Sequence, residues 1–232
     1  MVKILKFIWI CLIAISLIIF TGCSLETYEN KGIKEKTDEE ISYIENKILT
    51  FFSKYAKNEY GNSLEELDWQ EIENSVIDLN NVLDTIILDF TEIEISNEDI
   101  IEFRNGINDL SIACTNRDIN LVLEKSSFLY SLLPTYMEKY SENKNEINIL
   151  KLKALVVSSF TYSSLYDWEN AKITIGLAEN KYKEMMDDVD YMKEYAHNLN
   201  KVYILLGEVK NAIEIEELEL TKIKYVSFIE KM

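Results

Sequence analysis

Ile147-Asn148-Ile149-Leu150-Lys151-Leu152-Lys153-Ala154-Leu155-Val156-Val157-Ser158-Ser159-Phe160-Thr161-Tyr162 leads into Leu165-Tyr166-Asp167, and then into Trp168, Ala171, Ile175, Ala178 and Tyr182. In the first segment Ile147, Leu150, Ala154, Leu155, Ser158, Ser159 and Tyr162 line one face of an α-helix. The second segment repeats that spacing. Two such stripes joined by a short break predict a helix–turn–helix unit. Asp167 falls where the second helix begins, a favourable place for negative charge beside the positive end of the helix dipole.

The same pattern extends in both directions. Upstream, Ile100, Phe103, Ile107, Leu110 and Cys114 precede the polar turn Thr115-Asn116-Arg117-Asp118. A second helix follows from Ile119, and Pro134 is expected to kink or end it, because proline lacks the N–H and crowds the preceding turn. Downstream, Met192, Tyr195, Leu199, Val202, Tyr203 and Leu206 predict a helix, Gly207-Glu208 a turn, and Val209, Ala212, Ile213, Leu220 and Ile223 its partner. Asp118 and Glu208 take the place of Asp167 in these units. Nearer the N-terminus, Ile41, Ile44, Ile48, Phe51 and Phe52 predict a helix from about Asp38 that breaks at Gly61-Asn62. Ser63 with Glu66 reads as a capping box for the next helix, which carries Leu67, Ile72, Val76, Leu79, Leu83, Ile86 and Ile87 and ends before Ser96-Asn97. With one proline and six glycines in 232 residues, an all-α chain is expected.

The units over 97–232 resemble tetratricopeptide repeats. Asn198 to Tyr203 followed by Gly207 to Glu214 is similar to the repeat's core, and Ser159, Tyr162, Ala171, Ile175 and Ala178 keep its spacing. The first unit, with Leu110, Ala113, Val122, Ser126 and Leu129, is a degenerate version whose Pro134 falls where the repeat's terminal proline belongs. The steps from Val122 to Ala171 and from Ala171 to Ala212, 49 and 41 residues, exceed the family period of about 34, so longer helices are expected. Glu216 and Glu219 stand at positions that should be packed, which gives the last helix a solvated face. The resemblance implies antiparallel hairpins stacked as a short α-solenoid, an up-down helix bundle being the alternative.

At the other end, Lys3 and Lys6 precede an apolar run from Phe7 to Phe20, closed by Thr21-Gly22-Cys23. The run matches an export signal of about 7–15 apolar residues rather than a membrane span of about 20. Phe20-Thr21-Gly22-Cys23 resembles the lipobox of bacterial lipoproteins, with phenylalanine in place of the usual leucine. The resemblance implies that Cys23 receives a diacylglyceryl group and becomes the first mature residue, anchoring the chain on the extracytoplasmic face of the cell membrane. The expected organisation is then a signal peptide (1–22), a flexible polar tether (23–37), an N-terminal helical pair (38–95) and the repeats (96–232).

Loss of the signal would take the formal charge from −17 to −19, because Lys3 and Lys6 leave with it. Such a surface repels nucleic-acid phosphates and anionic headgroups and favours basic partners. Cys11 would leave too, so Cys114 is expected to remain as a lone buried thiol and no intrachain disulfide is available. Catalytic signals are sparse. His197 is the single histidine, which rules out a two-histidine metal motif, and no Walker, G-x-S-x-G or G-x-G-x-x-G sequence is present. Asp187-Asp188-Val189-Asp190 lacks the glycine and closing glutamate of a calcium loop, and Asp187 and Asp188 read as helix caps. Glu216-Glu217 would need a cleft to act as a glycosidase pair. Trp69 and Trp168 are expected to pack at helix starts, and Tyr162, Tyr182, Tyr195 and Tyr203 between helices. No catalytic residue, metal or cofactor is therefore expected. The expectation is a membrane-tethered module for a protein or peptide, with a lipid-anchored small-ligand or metal-ion receptor as the alternative.

Overall fold

A computed structural model describes residue 32 and residues 35–57, 69–93, 95–187 and 189–231, with the backbone alone described over 189–198. Among the described residues there are eight helices and no strand. They are α1 (35–57), α2 (Trp69–Glu92), α3 (Asn97–Thr115), α4 (Ile119–Tyr140), α5 (Lys144–Ser164), α6 (Trp168–Asp187), α7 (Val189–Glu214) and α8 (Leu218–Ile229). From α2 onward each helix packs on the next, giving an all-α array of stacked hairpins. One hydrophobic core runs through it, from Ile41 in α1 to Phe228 in α8.

Three of the turns share one backbone solution. Arg117, Tyr166 and Glu216 sit at φ 52°, 61° and 59°, in the left-handed region. In each case that residue's N–H returns to the carbonyl three residues back, on Cys114, Ser163 or Ile213. The following N–H, of Asp118, Asp167 or Glu217, returns to the carbonyl five back, on Ala113, Tyr162 or Ala212. This is the Schellman closure of a helix C-terminus. The residue that completes it also caps the next helix. Asp118 Oδ1 accepts from the Leu121 N–H at 3.1 Å and Asp167 Oδ1 from the Asn170 N–H at 3.2 Å. Glu217 makes no such side-chain bond.

The spacing of these turns, from 117 to 166 and from 166 to 216, sets a structural period of 49 and then 50 residues. Equivalent positions are buried in all three hairpins: Val122, Ala171 and Thr221 form one set, and Leu129, Ala178 and Phe228 another. The third turn differs from the sequence expectation. Gly207-Glu208 lies inside α7, which continues to Glu214, so the turn comes eight residues after Glu208, at Glu216. Ala212 therefore belongs to the first helix of its hairpin, and Thr221 takes the place of Ala171. The reason is local: Gly207 has an ordinary helical φ, and one glycine costs a long helix only about 1 kcal/mol. Glu216 is then a turn residue and Glu219 an exposed first-turn residue of α8, which explains why neither is packed.

Pro134 likewise does not end its helix, because α4 runs six residues further to Tyr140. The missing N–H frees the carbonyl of Tyr130, four residues earlier, and does not stop the later residues from bonding. Trp69 and Trp168 open α2 and α6 and pack on the core, as expected. Gly61-Asn62 and the Ser63–Glu66 capping box lie outside the described residues.

The destination of α1 decides the architecture. It is already helical at residue 35, ahead of the expected start near Asp38, and Thr37 is buried. Its apolar stripe does not pair with α2 alone. Phe52 meets the rings of Phe160 in α5 and Tyr225 in α8, each centroid 6.2 Å away and edge-on, while Phe160 and Tyr225 stack at 4.0 Å. Lys47 reaches Asp78 of α2, and Lys57 reaches Glu230 just past α8. The first helix thus lies along one side of the array and touches α2, α4, α5 and α8.

Candidate functional site

Polar contacts on the α1 side are mostly satisfied within the chain. Glu45 Oε1 accepts from the Tyr130 hydroxyl at 2.8 Å and from Lys153 Nζ at 2.9 Å. Burial, reinforced by the Glu45 charge, pushes the Tyr130 phenol well above its ordinary value. Tyr140 donates to Asp38 Oδ1 at 2.8 Å, and burial raises its phenol as well. A cleft of about 310 Å³ opens here between α1, α4 and α5, bordered by Asp38, Glu45, Glu146 and Lys153. Its carboxylates are therefore largely committed to internal donors. Burial, with the nearby Asp38 charge, also raises the carboxyl of Glu146.

At the start of α1 a second cluster joins it to α2. Lys36 Nζ lies 2.7 Å from Asp89 Oδ2, and the carboxyl of Glu40 bonds to Asp89 from the same side. Burial first, then that bond and the Asp89 charge, push Glu40 up to about 8. Its Oε2 is buried without an ordinary donor, a situation that a proton held between the two acids relieves.

The opposite face of the array is open. Phe128 and Tyr130 are two residues apart in α4, about 200° around the helix, so the burial of Tyr130 toward α1 turns Phe128 outward. Phe128 is 38% exposed, Leu121 on the same stripe 36%, and Ile101 across on α3 58%. Gly106 makes this packing possible. A Cβ there would stand 2.7 Å from Leu129 Cδ2 and 3.2 Å from the Phe128 ring, so a side chain at 106 would displace Leu129 first and press on Phe128.

Two grooves flank α4 and share Phe128. The one toward α3 measures about 600 Å³, with Ile101, Gly106 and Phe128 as floor and Glu98, Asp99, Glu102 and Asp109 as rim. The one toward α5 measures about 630 Å³ and is lined by Phe128, Tyr162 and the hydroxyls of Ser127 and Ser158, between Glu124 and Asp167. Six carboxylates and one ammonium, Lys125, line the pair. Lys125 Nζ sits 3.6 Å from both Asp109 and Glu124. Sequence periodicity had a signal for this face: Leu121 and Phe128 are apolar yet fall off the Val122, Ser126, Leu129 stripe that enters the core.

The residues singled out from sequence are scattered. Cys23 and the segment before it lie outside the described residues, as do Asp188 and the side chains of Asp190, Tyr195 and His197. Cys114 is buried, and burial pushes its thiol up to about 12. Tyr182 donates to the Leu199 carbonyl at 3.1 Å and stacks on Tyr203, which is half exposed. Glu216 and Glu217 occupy the last turn, where Glu216 Oε1 meets Lys172 Nζ at 2.7 Å on the surface. Among the described residues no three His, Cys, Asp or Glu side chains gather as a metal cage, and no helix is long and apolar enough to cross a membrane. No family model, curated protein or solved structure matches this chain.

Proposed function

We propose that the chain is a lipoprotein tethered at Cys23 to the extracytoplasmic face of the cell membrane, where it holds a protein or peptide partner. Its role is binding rather than catalysis. The anchor rests on the sequence alone, on Lys3, Lys6, the run from Phe7 to Phe20 and Thr21-Gly22-Cys23. The observation that carries the binding role is the pair of grooves beside α4, where apolar side chains stay in water within an acidic rim. Exposed apolar surface bordered by charge is the mark of a partner surface more than of a solvated one.

The test is made in the native cell with wild type and Cys23→Ser. Metabolic labelling with an alkyne fatty acid should tag the wild type and leave the variant unlabelled, and only the wild type should sediment with membranes. Cross-linking in those membranes, followed by mass spectrometry, should recover a discrete partner. An unlabelled wild-type chain refutes the anchor, and cross-links to nothing but lipid and the chain itself refute the binding role.

A further inference from the structure

We propose that the outer face of α4, centred on Phe128, docks a Lys/Arg-rich amphipathic helix of a partner protein, an assignment that rests on the interaction-module reading above. Phe128 is the anchor. Its ring lies close over Gly106 of α3, 3.2 Å from where a Cβ would stand, so the fold itself forms the apolar surface before a partner arrives. Little side-chain ordering remains to be done on binding, which favours affinity. Leu121, one stripe with Phe128, and Ile101 across the groove extend that surface along the helix axis. Channels between neighbouring helices suit a third helix laid along them, its apolar side chains entering both grooves.

Charge selects the occupant. With six carboxylates against one ammonium, and that ammonium already shared between Asp109 and Glu124, the rim is short of cations. Lysine or arginine side chains flanking an apolar stripe supply them. A second copy of this chain would set the same carboxylates against each other, and anionic lipid or nucleic acid would be repelled. Strand addition needs a sheet edge, and the described residues contain none.

The test uses the full chain in mild detergent and a labelled helical peptide of about 18 residues made of lysine, leucine and alanine, long enough for five turns. A counterpart with glutamate for lysine serves as control. By fluorescence anisotropy the lysine peptide should bind and the glutamate peptide should not. Affinity should fall about tenfold or more between about 50 and about 200 mM salt, as expected when several charge contacts form. Phe128→Ala should weaken binding about 10- to 100-fold, as for a buried aromatic anchor. Glu102→Lys with Asp109→Lys should weaken it and flatten its salt dependence. Ile223→Ala, which removes an apolar side chain 61% exposed on α8, should change nothing.

Binding that ignores Phe128→Ala and the charge reversals overturns the proposal, as does equal binding of the two peptides or none by the lysine peptide. In cells, a photoreactive phenylalanine in place of Phe128 should capture a Lys/Arg-rich segment. Capture of an acidic or neutral segment there overturns the assignment. Capture from position 223 but not from 128 removes this surface and leaves the module reading standing, whereas capture from neither ends both.

Discussion

Phe52→Ala tests whether α1 is part of the array or merely lies beside it. Phe52 is fully buried, with its ring edge-on to Phe160 of α5 and Tyr225 of α8, both 6.2 Å away. Truncating a buried phenylalanine to alanine costs about 3–5 kcal/mol, part of it the transfer of the ring and part the cavity left behind. Two edge-to-face contacts of about 0.5–1.5 kcal/mol each are lost as well, which places this site at the upper end of that range. With a urea slope of about 3 kcal/mol/M, the unfolding midpoint should fall by about 1–2 M. Hydrogen exchange on the same samples locates the damage: peptides from 35–57 and from Leu218–Ile229 should lose protection together. The reasoning fails if the midpoint moves by less than about 0.3 M, or if protection is lost in 35–57 alone while α8 keeps its own.

A second prediction concerns pH. Glu40 is raised to about 8 in the fold, first by burial and then by Asp89, with Lys36 opposing, whereas the unfolded chain releases that proton near 4.5. The contribution of Glu40 to stability should therefore be full below about pH 4.5 and be lost as pH rises through about 8, where the fold must accept a second charge beside Asp89. Glu40→Gln should flatten that decline in melts taken across this window, and a parallel decline in the variant would refute the assignment. Cys114, raised to about 12 mainly by burial, should be alkylated about a thousandfold more slowly than a free thiol at pH 8. Mass spectrometry of the Cys114 peptide with and without urea measures this, and rapid native labelling would contradict the burial. Arg117 sits at φ 52°, where a side chain costs about 1 kcal/mol that glycine does not incur. Arg117→Gly should thus raise the melting temperature by about 2–4 °C, and a lowered one would argue against the left-handed turn.

The helices were legible because their signals are redundant. Ile41, Ile44, Ile48, Phe51 and Phe52 all point inward, as their spacing requires, and so do Ile100, Phe103, Ile107 and Leu110. Turns were harder. The left-handed positions fall to Arg117, Tyr166 and Glu216, none of them glycine or asparagine, so residue type gives no hint of them. Gly207 misled in the opposite sense, since a glycine can be tolerated in a helix as readily as it can end one. The partners of α1 were hidden for a further reason. A periodic stripe tells which side of a helix is buried and nothing about which helices cover it. The one clue was Glu45, a half-buried carboxylate set between Ile44 and Ile48: α2 carries no lysine or arginine to pair with it, and α5 supplies Lys153 while α4 supplies the Tyr130 hydroxyl. The outer face left its trace in Phe128, an aromatic residue out of step with the core.

A stack of hairpins has no inherent length, since each unit needs only its neighbour. Here the first helix works as a clasp. Its 23 residues span about 34 Å, with Lys36 at one end bound to Asp89 and Lys57 at the other bound to Glu230. Between them, Phe52 packs edge-on against a ring from α5 and a ring from α8. Loss of a unit between α2 and α8 would part contacts that α1 makes at the same time. The first helix thus ties the start of the stack to its end, a constraint that packing between neighbouring units does not supply.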